Sequence, residues 1–336
     1  MSNSSKNRDT QFADAAPVVL FCYTRTDCLQ KTVEALRANP EAPKTQLFIY
    51  SDAGKDAASC EAVSKVRRYI HSITGFKSVT IIEQDTNQKL EYNVIQGVTE
   101  TVNRFGRVIV LEDDIVTSKY FLSFMNRALE FYQDRKEVME ISGFGYPALK
   151  LYEKLPPTFA WRMEGGWGWA TWKDRWDKFH HFSSKDEALA HLSSQDVFEL
   201  QFQNKWDCLT LLDCSPIPWD ICWYIAIYLN RGVTISPSRT LTLHIGDEGT
   251  HFTKSSALKM PSTFADDDNI CEHIELTEDT SRARIAENAV ARYLQLRGHI
   301  RCPEALFFSF LIWLKKNLPD ETITFLRKIR NALLHR

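Results

Sequence analysis

From residue 17 to residue 142 the chain alternates short apolar runs with longer segments of helical periodicity, and this alternation restricts the possible folds most. The apolar runs predict five buried strands, at Pro17–Tyr23, Leu47–Tyr50, Val79–Ile82, Val108–Leu111 and Val138–Ser142. The segments between them, such as the apolar stripe from Leu90 to Val102, predict amphipathic helices. Strands and helices in this order form a mostly parallel sheet with helices on both faces. The sequence therefore predicts an α/β fold whose ligands bind at the carboxyl ends of the strands.

The length of 336 residues exceeds the size at which a single core stops growing, so we expect one large domain or two fused domains. We divide the chain into a flexible tail at 1–16, a first half at 17–150, a second half at 151–280 and a C-terminal helical region at 281–336. A stretch with few apolar residues at about 245–270 is predicted to be a flexible loop. The formal net charge of −2 excludes a protein whose whole surface binds nucleic acid.

The cysteines indicate a reducing compartment. None of the eight has C-x-x-C spacing, and a chain of this size does not need disulfides, so we expect free thiols. The first 16 residues lack the apolar segment of a signal peptide. No stretch reaches the roughly 18 apolar residues of a membrane span. We therefore expect a cytoplasmic protein.

The strongest chemical signal is the sequence Glu112-Asp113-Asp114, which directly follows an apolar strand. Three adjacent acids at the end of a buried strand repel one another and lose hydration. A divalent cation, Mn²⁺ or Mg²⁺, would relieve both costs and would also bind the phosphates of a substrate. The structural alternative is a solvated turn that caps the next helix. The buried strand before the acids and the helix after them favour a metal and phosphate site.

Two further strand ends carry polar residues, because Arg25 follows the first strand and Asp52-Ala53-Gly54 follows the second. Together with Val-Ile-Val-Leu-Glu112-Asp113-Asp114, they resemble the GT-A-fold glycosyltransferases. In particular, they resemble the N-acetylglucosaminyltransferase I family and its bacterial surface-polysaccharide relatives. The resemblance covers about residues 17–250. It implies a GT-A (Rossmann-like) fold and the inverting transfer of a sugar from a UDP-sugar.

The resemblance also implies roles for single residues. Arg25 would contact the nucleotide diphosphate and Asp52 the uracil. Asp114 would bind Mn²⁺ (or Mg²⁺), which bridges the diphosphate of the UDP-sugar. Asp113 would contact the ribose or the water shell of the metal, and Glu112 the sugar. Taken singly, Arg25 could instead form a surface salt bridge, and Asp52 could cap a turn or a helix.

Residues 161–172 combine four tryptophans with three glycines. Glycines allow a ligand to approach the backbone closely, and the faces of tryptophan rings pack against sugars. We predict that this segment lines the acceptor or sugar pocket with Gly165, Gly166, Trp167 and Trp169; burial of the tryptophans in the core is the structural alternative. The related family has a similar segment between donor sugar and acceptor. The first half would thus bind the nucleotide-sugar, and the second would form the acceptor side.

Asp220 is the candidate catalytic base. It opens a predicted helix, whose dipole stabilises a carboxylate. An inverting transferase must deprotonate the acceptor hydroxyl, and a positioned carboxylate can do so. The catalytic aspartate of the related family lies in a Trp-Asp-Asp-Trp segment before a helix. In this chain the corresponding segment, Trp219-Asp220-Ile221-Cys222-Trp223, has a single Asp. The alternative to a catalytic role is that Asp220 only caps the helix.

His244 ends a predicted strand and could add a second metal ligand, as a histidine does in some GT-A enzymes, or could be structural. The loop at about 245–270 resembles a lid that becomes ordered when a nucleotide-sugar binds, with a plain surface loop as the alternative.

The C-terminal residues 301–336 carry seven Lys or Arg residues against three Asp or Glu residues. Apolar residues there recur on one helix face, opposite the basic ones. Such segments can lie in a membrane interface, so we predict peripheral contact with the inner face of the cell membrane. Packing on the catalytic domain is the alternative.

The sequence thus predicts a metal-dependent inverting glycosyltransferase. It would move N-acetylglucosamine or another hexose from a UDP-sugar to a hydroxyl of a glycan or lipid-linked acceptor in surface polysaccharide synthesis. Two alternatives stay open. A nucleotidyltransferase of similar fold would also place carboxylates and Mg²⁺ at a strand end, but it would release pyrophosphate. A non-catalytic glycan-binding protein would use the tryptophan cluster without a metal.

Overall fold

The computed structural model describes residues 15–146, 149, 155–246 and 274–297 of the chain. The strands are β1 (Val18–Cys22), β2 (Gln46–Ser51), β3 (Ser78–Glu83), β4 (Arg107–Glu112), β5 (Ile115–Thr117), β6 (Val138–Ser142), β7 (Thr158–Trp161), β8 (Trp169–Trp172), β9 (Val233–Pro237) and β10 (Thr242–His244). The helices are α1 (Thr26–Arg37), α2 (Ala57–Ile70), α3 (Lys89–Phe105), α4 (Phe121–Phe131), α5 (Lys173–Trp176), α6 (Lys185–Ala190), α7 (Ser194–Leu200), α8 (Trp219–Leu229) and α9 (Arg284–Arg297). All five strands predicted before residue 143 are present, with ends within one residue of the prediction.

Eight strands form one sheet in the order β3–β2–β1–β4–β8–β6–β9–β7. The pairs β3–β2, β2–β1, β1–β4 and β6–β9 are parallel. The pairs β4–β8, β8–β6 and β9–β7 are antiparallel. The prediction of a mostly parallel sheet is therefore confirmed. The strands β5 and β10 pair with each other outside this sheet.

The sheet has a hydrophobic core on each face. Successive residues of a strand point to opposite faces, so the all-apolar β1 contributes to both cores. Val18 and Leu20 lie in one core with residues of α1, α2 and α4. Val19 and Phe21 lie in the other with residues of α3 and α8. Helices therefore cover both faces, as the sequence predicts.

The strand β8 lies between β4 and β6, although it comes later in the chain than both. Its residues pair antiparallel with β4 on one side, where Trp169 opposes Val110, and with β6 on the other, where Trp169 opposes Ser142. One sheet thus contains strands from both predicted halves. The boundary at 150/151 stays a prediction.

Two segments predicted to be flexible include packed residues, which corrects the prediction at their ends. Ala16 is buried, and its N–H donates a hydrogen bond to Asn126 Oδ1 at 2.7 Å. The Ile245 N–H donates to the Asp114 carbonyl oxygen at 2.9 Å, and Gly246 is buried. The remainder of the predicted tail and loop, 1–14 and 247–270, lies outside the described residues.

The helix α9 confirms a helical start to the predicted C-terminal extension, while the basic segment at 301–336 lies outside the described residues. Within the ranges that the structure describes, no helix is long and apolar enough to cross a bilayer. The cysteines in these ranges are free thiols, as predicted, at positions 22, 28, 60, 208, 214 and 222.

Candidate active site

Arg25, Asp113 and Asp114 meet at one edge of the sheet. The strands β1 and β4 are parallel neighbours, so the residues that follow them lie side by side. Arg25 Nη1 lies 2.6 Å from Asp114 Oδ2, and Nη2 lies 2.5 Å from Asp113 Oδ1. Both carboxylates are buried, whereas 31% of the Arg25 side chain is exposed. Three predicted site residues are therefore in direct contact, with the arginine reaching solvent.

The pairing of β5 with β10 brings His244 to the acid motif. Asp114 immediately precedes β5, in which Ile115 is the partner of His244. His244 Nε2 lies 3.2 Å from Asp114 Oδ2, and its ring centroid lies 5.1 Å from that of Trp167. Asp114 Oδ1, in contrast, is buried without a hydrogen-bond partner. One oxygen of Asp114 is thus held by protein groups, and the other is not.

The unpartnered oxygen provides a test of whether these residues suit a divalent cation. A buried carboxylate oxygen without a partner is costly, and coordination of a cation would satisfy it. His244 Nε2 adds a nitrogen donor next to the other oxygen, Oδ2. Among the residues that the structure describes, no group of three or more His, Cys, Asp or Glu side chains is arranged to hold a metal. Asp114 and His244 could therefore hold a cation only if substrate phosphates and water supply its other ligands.

The charges at this edge depend on one another. Burial opposes the charge on Arg25, but the adjacent Asp113 and Asp114 raise the pKa of its guanidinium. Burial raises the pKa of Asp113 to about 6, although Arg25 acts in the opposite direction. Burial would also raise the pKa of Asp114, but contacts with His244 and Arg25 hold it below its ordinary value. Of the two carboxylates, Asp114 therefore stays ionised to the lower pH.

Gly246 packs directly on these charged groups. A Cβ atom at this position would lie 2.2 Å from Asp114 Oδ2 and 2.9 Å from Arg25 Nη1. Any side chain at position 246 therefore has to displace the carboxylate or the guanidinium. The requirement for glycine here is one of space and not of backbone conformation.

We predict that Gly246→Ala weakens metal-dependent nucleotide binding and lowers the free energy of unfolding by about 1–3 kcal/mol, since overpacking forces neighbours apart. Calorimetric titration and urea unfolding measure the two effects. Gly106→Ala is the control. A Cβ at position 106 meets no atom within 4 Å, but alanine in this left-handed conformation (φ 77°) also lowers stability. Equal nucleotide affinity in the two variants would contradict the prediction.

Asp52 occupies the predicted position after β2, but its carboxylate serves the fold. Oδ1 accepts hydrogen bonds from the N–H groups of Ala53 and Gln88 at 2.9 and 2.8 Å. Oδ2 accepts from Asn87 Nδ2 and from the Lys89 N–H, both at 3.0 Å. Four hydrogen bonds use the acceptor capacity of a carboxylate. Asp52 therefore holds the start of α3, and its contact with uracil stays a prediction.

The glycine–tryptophan segment, residues 161–172, is partly accessible and partly buried. Gly166 and Trp167 each keep some exposed surface beside His244 and Trp219. Gly165 is buried, and a Cβ there would lie 2.1 Å from Ser142 Oγ. Gly165 thus packs the segment onto β6 and does not line a pocket, which corrects its predicted role.

Trp169 is also misassigned by the sequence analysis. Its side chain is completely buried, and its ring stacks on Trp219 with the centroids 5.2 Å apart. It points into the core beneath α3 and α8, where it also contacts Trp176 and Trp223. Trp169 therefore cannot form a pocket wall. The structural alternative is the correct one for this residue.

Glu140 was not identified by the sequence analysis, although it lies in the middle of β6 and is completely buried. Its Oε1 accepts hydrogen bonds from the Gly165 N–H at 2.7 Å and from Thr234 Oγ1 at 3.3 Å. Its Oε2 accepts one from Trp223 Nε1 at 2.7 Å. Glu140 thus connects the glycine–tryptophan segment to α8. The available signal was a charged residue within an otherwise apolar strand.

Asp220 lies in the first turn of α8, where its Oδ1 accepts a hydrogen bond from the Ile221 N–H at 2.7 Å. Its negative charge adds to the burial that raises the pKa values of Glu112 and Glu164. Glu112 and Glu164 each keep some exposed surface. Burial, and then repulsion from Asp114, holds the pKa of Glu112 well above its ordinary value. Asp220 is thus within electrostatic range of the acid motif.

Stability should depend on pH through Glu140, whose pKa burial raises from 4.5 to about 7. The folded state then binds a proton more tightly than the unfolded state. The stabilisation that this proton provides is fully present below pH 4.5. As the pH rises through 7 it is lost, and the free energy of unfolding falls by about 3 kcal/mol.

We therefore predict that urea unfolding shows lower stability at pH 8 than at pH 5, and that Glu140→Gln reduces this difference. The exposed Glu61→Gln serves as the control. Equal pH differences for Glu140→Gln and the parent chain would contradict the prediction.

The comparisons with known proteins support a resemblance to glycosyltransferases. No family model matches the chain. Over 178 residues it is 25% identical to an alpha-1,3-mannosyl-glycoprotein 2-beta-N-acetylglucosaminyltransferase of Arabidopsis thaliana. That alignment covers 50% of this chain and 39% of the relative, so the chain matches well under half the length of this relative.

Among solved structures, the mannosyltransferase PcManGT from Pyrobaculum calidifontis, in complex with GDP-Man and Mn²⁺, aligns with a TM-score of 0.39 at 12% identity. The alignment covers 65% of this chain and 70% of that one. The chain itself has the α/β arrangement that the strand-end motifs predict. The sequence alignment indicates a glycosyltransferase, as the motifs do. The chain thus resembles the GT-A-fold glycosyltransferases, and specifically an N-acetylglucosaminyltransferase I.

Proposed function

We propose that the chain is an inverting glycosyltransferase that moves a sugar from a UDP-sugar to a hydroxyl group of a glycan or lipid-linked acceptor. The observation that carries the proposal is Asp114. It lies at the carboxyl end of the central parallel strands with one buried oxygen unpartnered, beside Arg25 and His244. The 25% identity to an N-acetylglucosaminyltransferase supports sugar transfer as the reaction.

The donor side of the site is suited to a diphosphate. Arg25 is the partly exposed cation at this edge, and a guanidinium binds phosphate oxygens in a fixed geometry. Asp114 and His244 would hold Mn²⁺ or Mg²⁺, which would neutralise the charge of the leaving diphosphate. Glu112, which keeps some exposed surface, would contact the sugar.

The acceptor side is formed by α8 and the glycine–tryptophan segment. Asp220 would take the proton of the acceptor hydroxyl as its oxygen attacks the anomeric carbon. Trp167 offers a partly exposed ring to the apolar face of a sugar. Gly166 keeps the backbone beside Trp219 free of a side chain, which leaves space for a ligand.

A cytoplasmic location, contact with the inner face of the membrane and a role in surface polysaccharide synthesis complete the proposal. They rest on the composition of residues 301–336 and on the bacterial relatives that the motifs resemble. Flotation of the full chain with vesicles that contain anionic lipid tests the membrane contact. Loss of flotation without residues 301–336 is the expected result.

The deciding experiment is a calorimetric titration of UDP into the protein with Mn²⁺, and then with EDTA. We expect binding that requires the metal. Transfer from a panel of UDP-sugars to water or to simple glycosides then identifies the sugar. If the protein binds no UDP under either condition, the donor assignment fails. Pyrophosphate release from a nucleoside triphosphate would indicate a nucleotidyltransferase instead.

A further inference from the structure

An open pocket of about 250 Å³ lies at the end of α8 that is opposite to Asp220. We call it the arginine pocket, and it is lined by Arg162, Asp196, Tyr228, Leu229 and Arg231. Asp220 is in the first turn of α8 and Tyr228 is in the last, so about 12 Å of helix separates them. The arginine pocket is therefore distinct from the candidate active site and shares no residue with it.

The guanidinium of Arg162 forms no salt bridge with any residue that the structure describes. Its Cζ lies 4.8 Å from the centroid of the Tyr228 ring, and its Nε is buried without a hydrogen-bond partner. Burial, and then repulsion from Arg282, lowers the pKa of Arg162. A charge that loses hydration is costly unless an opposite charge pairs with it. Within the described residues, Arg162 is thus a cation to which no carboxylate binds.

The acids around the arginine pocket bind other groups. Glu287 of α9 accepts two hydrogen bonds from Arg282, both at 2.8 Å, and one from the backbone N–H of Arg162 at 3.0 Å. Asp196 Oδ2 accepts hydrogen bonds from the N–H and the hydroxyl of the N-cap serine of α7, at 2.8 and 2.6 Å. Asp196 Oδ1 accepts one from the Tyr228 hydroxyl at 2.9 Å. These carboxylates thus hold the fold around the pocket and do not pair with its arginines.

Arg231 has a left-handed backbone (φ 53°) directly after the C-cap residue of α8. Its N–H donates to the Tyr228 carbonyl oxygen at 3.0 Å, and the Gly232 N–H donates to the Ile227 carbonyl oxygen at 2.8 Å. This is the Schellman pattern, in which glycine is favoured at the left-handed position because a side chain is strained there. The chain has an exposed arginine instead, whose side chain makes no hydrogen bond or salt bridge within the described ranges. A strained residue of this kind indicates a use for its side chain.

We propose that the arginine pocket binds an oxyanion, a phosphate or a carboxylate group, through Arg162 and Arg231. A guanidinium binds the oxygens of both groups through several N–H donors in a fixed geometry. The negative charge of Asp196 and the carboxyl end of α8 both disfavour an anion, so a single arginine is not sufficient. The oxyanion is either free phosphate or the acidic group of a sugar in a glycan, because both present the same oxygens.

Calorimetric titration of inorganic phosphate, in EDTA and at constant ionic strength, tests the proposal. EDTA removes any metal that could attract phosphate to the acid motif. Arg162→Gln and Arg231→Gly should each weaken phosphate affinity by about tenfold or more, because each removes charged hydrogen-bond donors. Arg68→Gln removes an exposed cation on α2 and should keep the parent affinity. Equal phosphate affinity in the parent, Arg162→Gln and Arg231→Gly would overturn the proposal.

Arg231→Gly also separates loss of the site from loss of the fold. Glycine relieves the left-handed strain, so the urea midpoint of unfolding should rise while phosphate affinity falls. Binding lost together with a lower unfolding midpoint would assign Arg231 a structural role and overturn its part in the site. A higher midpoint with the parent phosphate affinity would overturn it as well.

Glucose 6-phosphate, glucuronate and glucose distinguish the two sources of the oxyanion. If the ligand is an acidic sugar, one of the two charged sugars should bind about tenfold more tightly than inorganic phosphate, and glucose should not bind. Equal affinities for phosphate and the charged sugars would indicate a free anion. Absence of binding by every charged probe would overturn the proposal. None of these measurements requires sugar transfer, so failure of the proposed glycosyltransferase function would leave their results unchanged.

Discussion

Asp114→Asn is expected to abolish metal-dependent UDP binding and to lower the rate of sugar transfer by about a thousandfold. Asparagine keeps an oxygen that can accept the hydrogen bonds from Arg25 and His244, so the local packing should persist. It replaces the buried oxygen that has no partner with an uncharged NH2 group. Divalent cations of this type require a carboxylate ligand. Calorimetry with Mn²⁺ and with EDTA measures the effect directly.

The control is Asp177→Asn, which removes an exposed carboxylate that pairs with Lys173 on the surface. It should leave UDP binding, transfer and unfolding unchanged. If Asp114→Asn bound UDP with the parent affinity and the same response to EDTA, the assignment of Asp114 to the metal would be wrong. Loss of binding together with a lower unfolding midpoint would instead assign Asp114 a structural role.

Asp220→Asn should lower kcat by about a thousandfold and leave UDP affinity unchanged, because it removes the base and not the donor site. Asparagine can still accept the hydrogen bond from the Ile221 N–H, so the first turn of α8 should be retained. Rapid-quench measurement of a single turnover separates the chemical step from product release.

The exposed Asp177→Asn is also the control for this prediction, and it should leave kcat and UDP affinity unchanged. A kcat within twofold of the parent for Asp220→Asn would contradict the assignment of Asp220 as base.

The sequence predicts the first half of the sheet accurately, because each strand there is a short apolar run. All of these strands except the edge strand β3 are also buried on both faces. Strand β8 was missed for a physical reason. The composition of Trp169–Trp172 suggests a surface that binds a ligand. The alternation of side chains along the strand instead places Trp169 in one core and Trp172 in the other. Strand β5 has only three residues and carries no periodicity that a sequence reading can detect.

The site was predictable where a residue follows a parallel strand. Arg25, Asp113 and Asp114 come together for this reason, and His244 joins them through β10. Asp52 also follows a strand, but whether a carboxylate caps a helix or contacts a ligand depends on where the next helix begins. That information is tertiary.

Glu140 could not be assigned from sequence either. Its role depends on Gly165 lying against β6 and on Trp223 of α8. A single acid within an apolar strand gives no indication of which groups will donate hydrogen bonds to it.

The position of β8 between β4 and β6 also determines how the chain can fold while it is being synthesised. When residues 15–146 have left the ribosome, β1 to β4 can pair, but both sheet neighbours of β6 are still missing. The apolar β4 then presents an open edge, which can recruit strands of other nascent chains. Polypeptides that terminate before Trp172 should therefore aggregate. A chaperone that covers the β4 edge until β8 emerges would raise the yield of native protein.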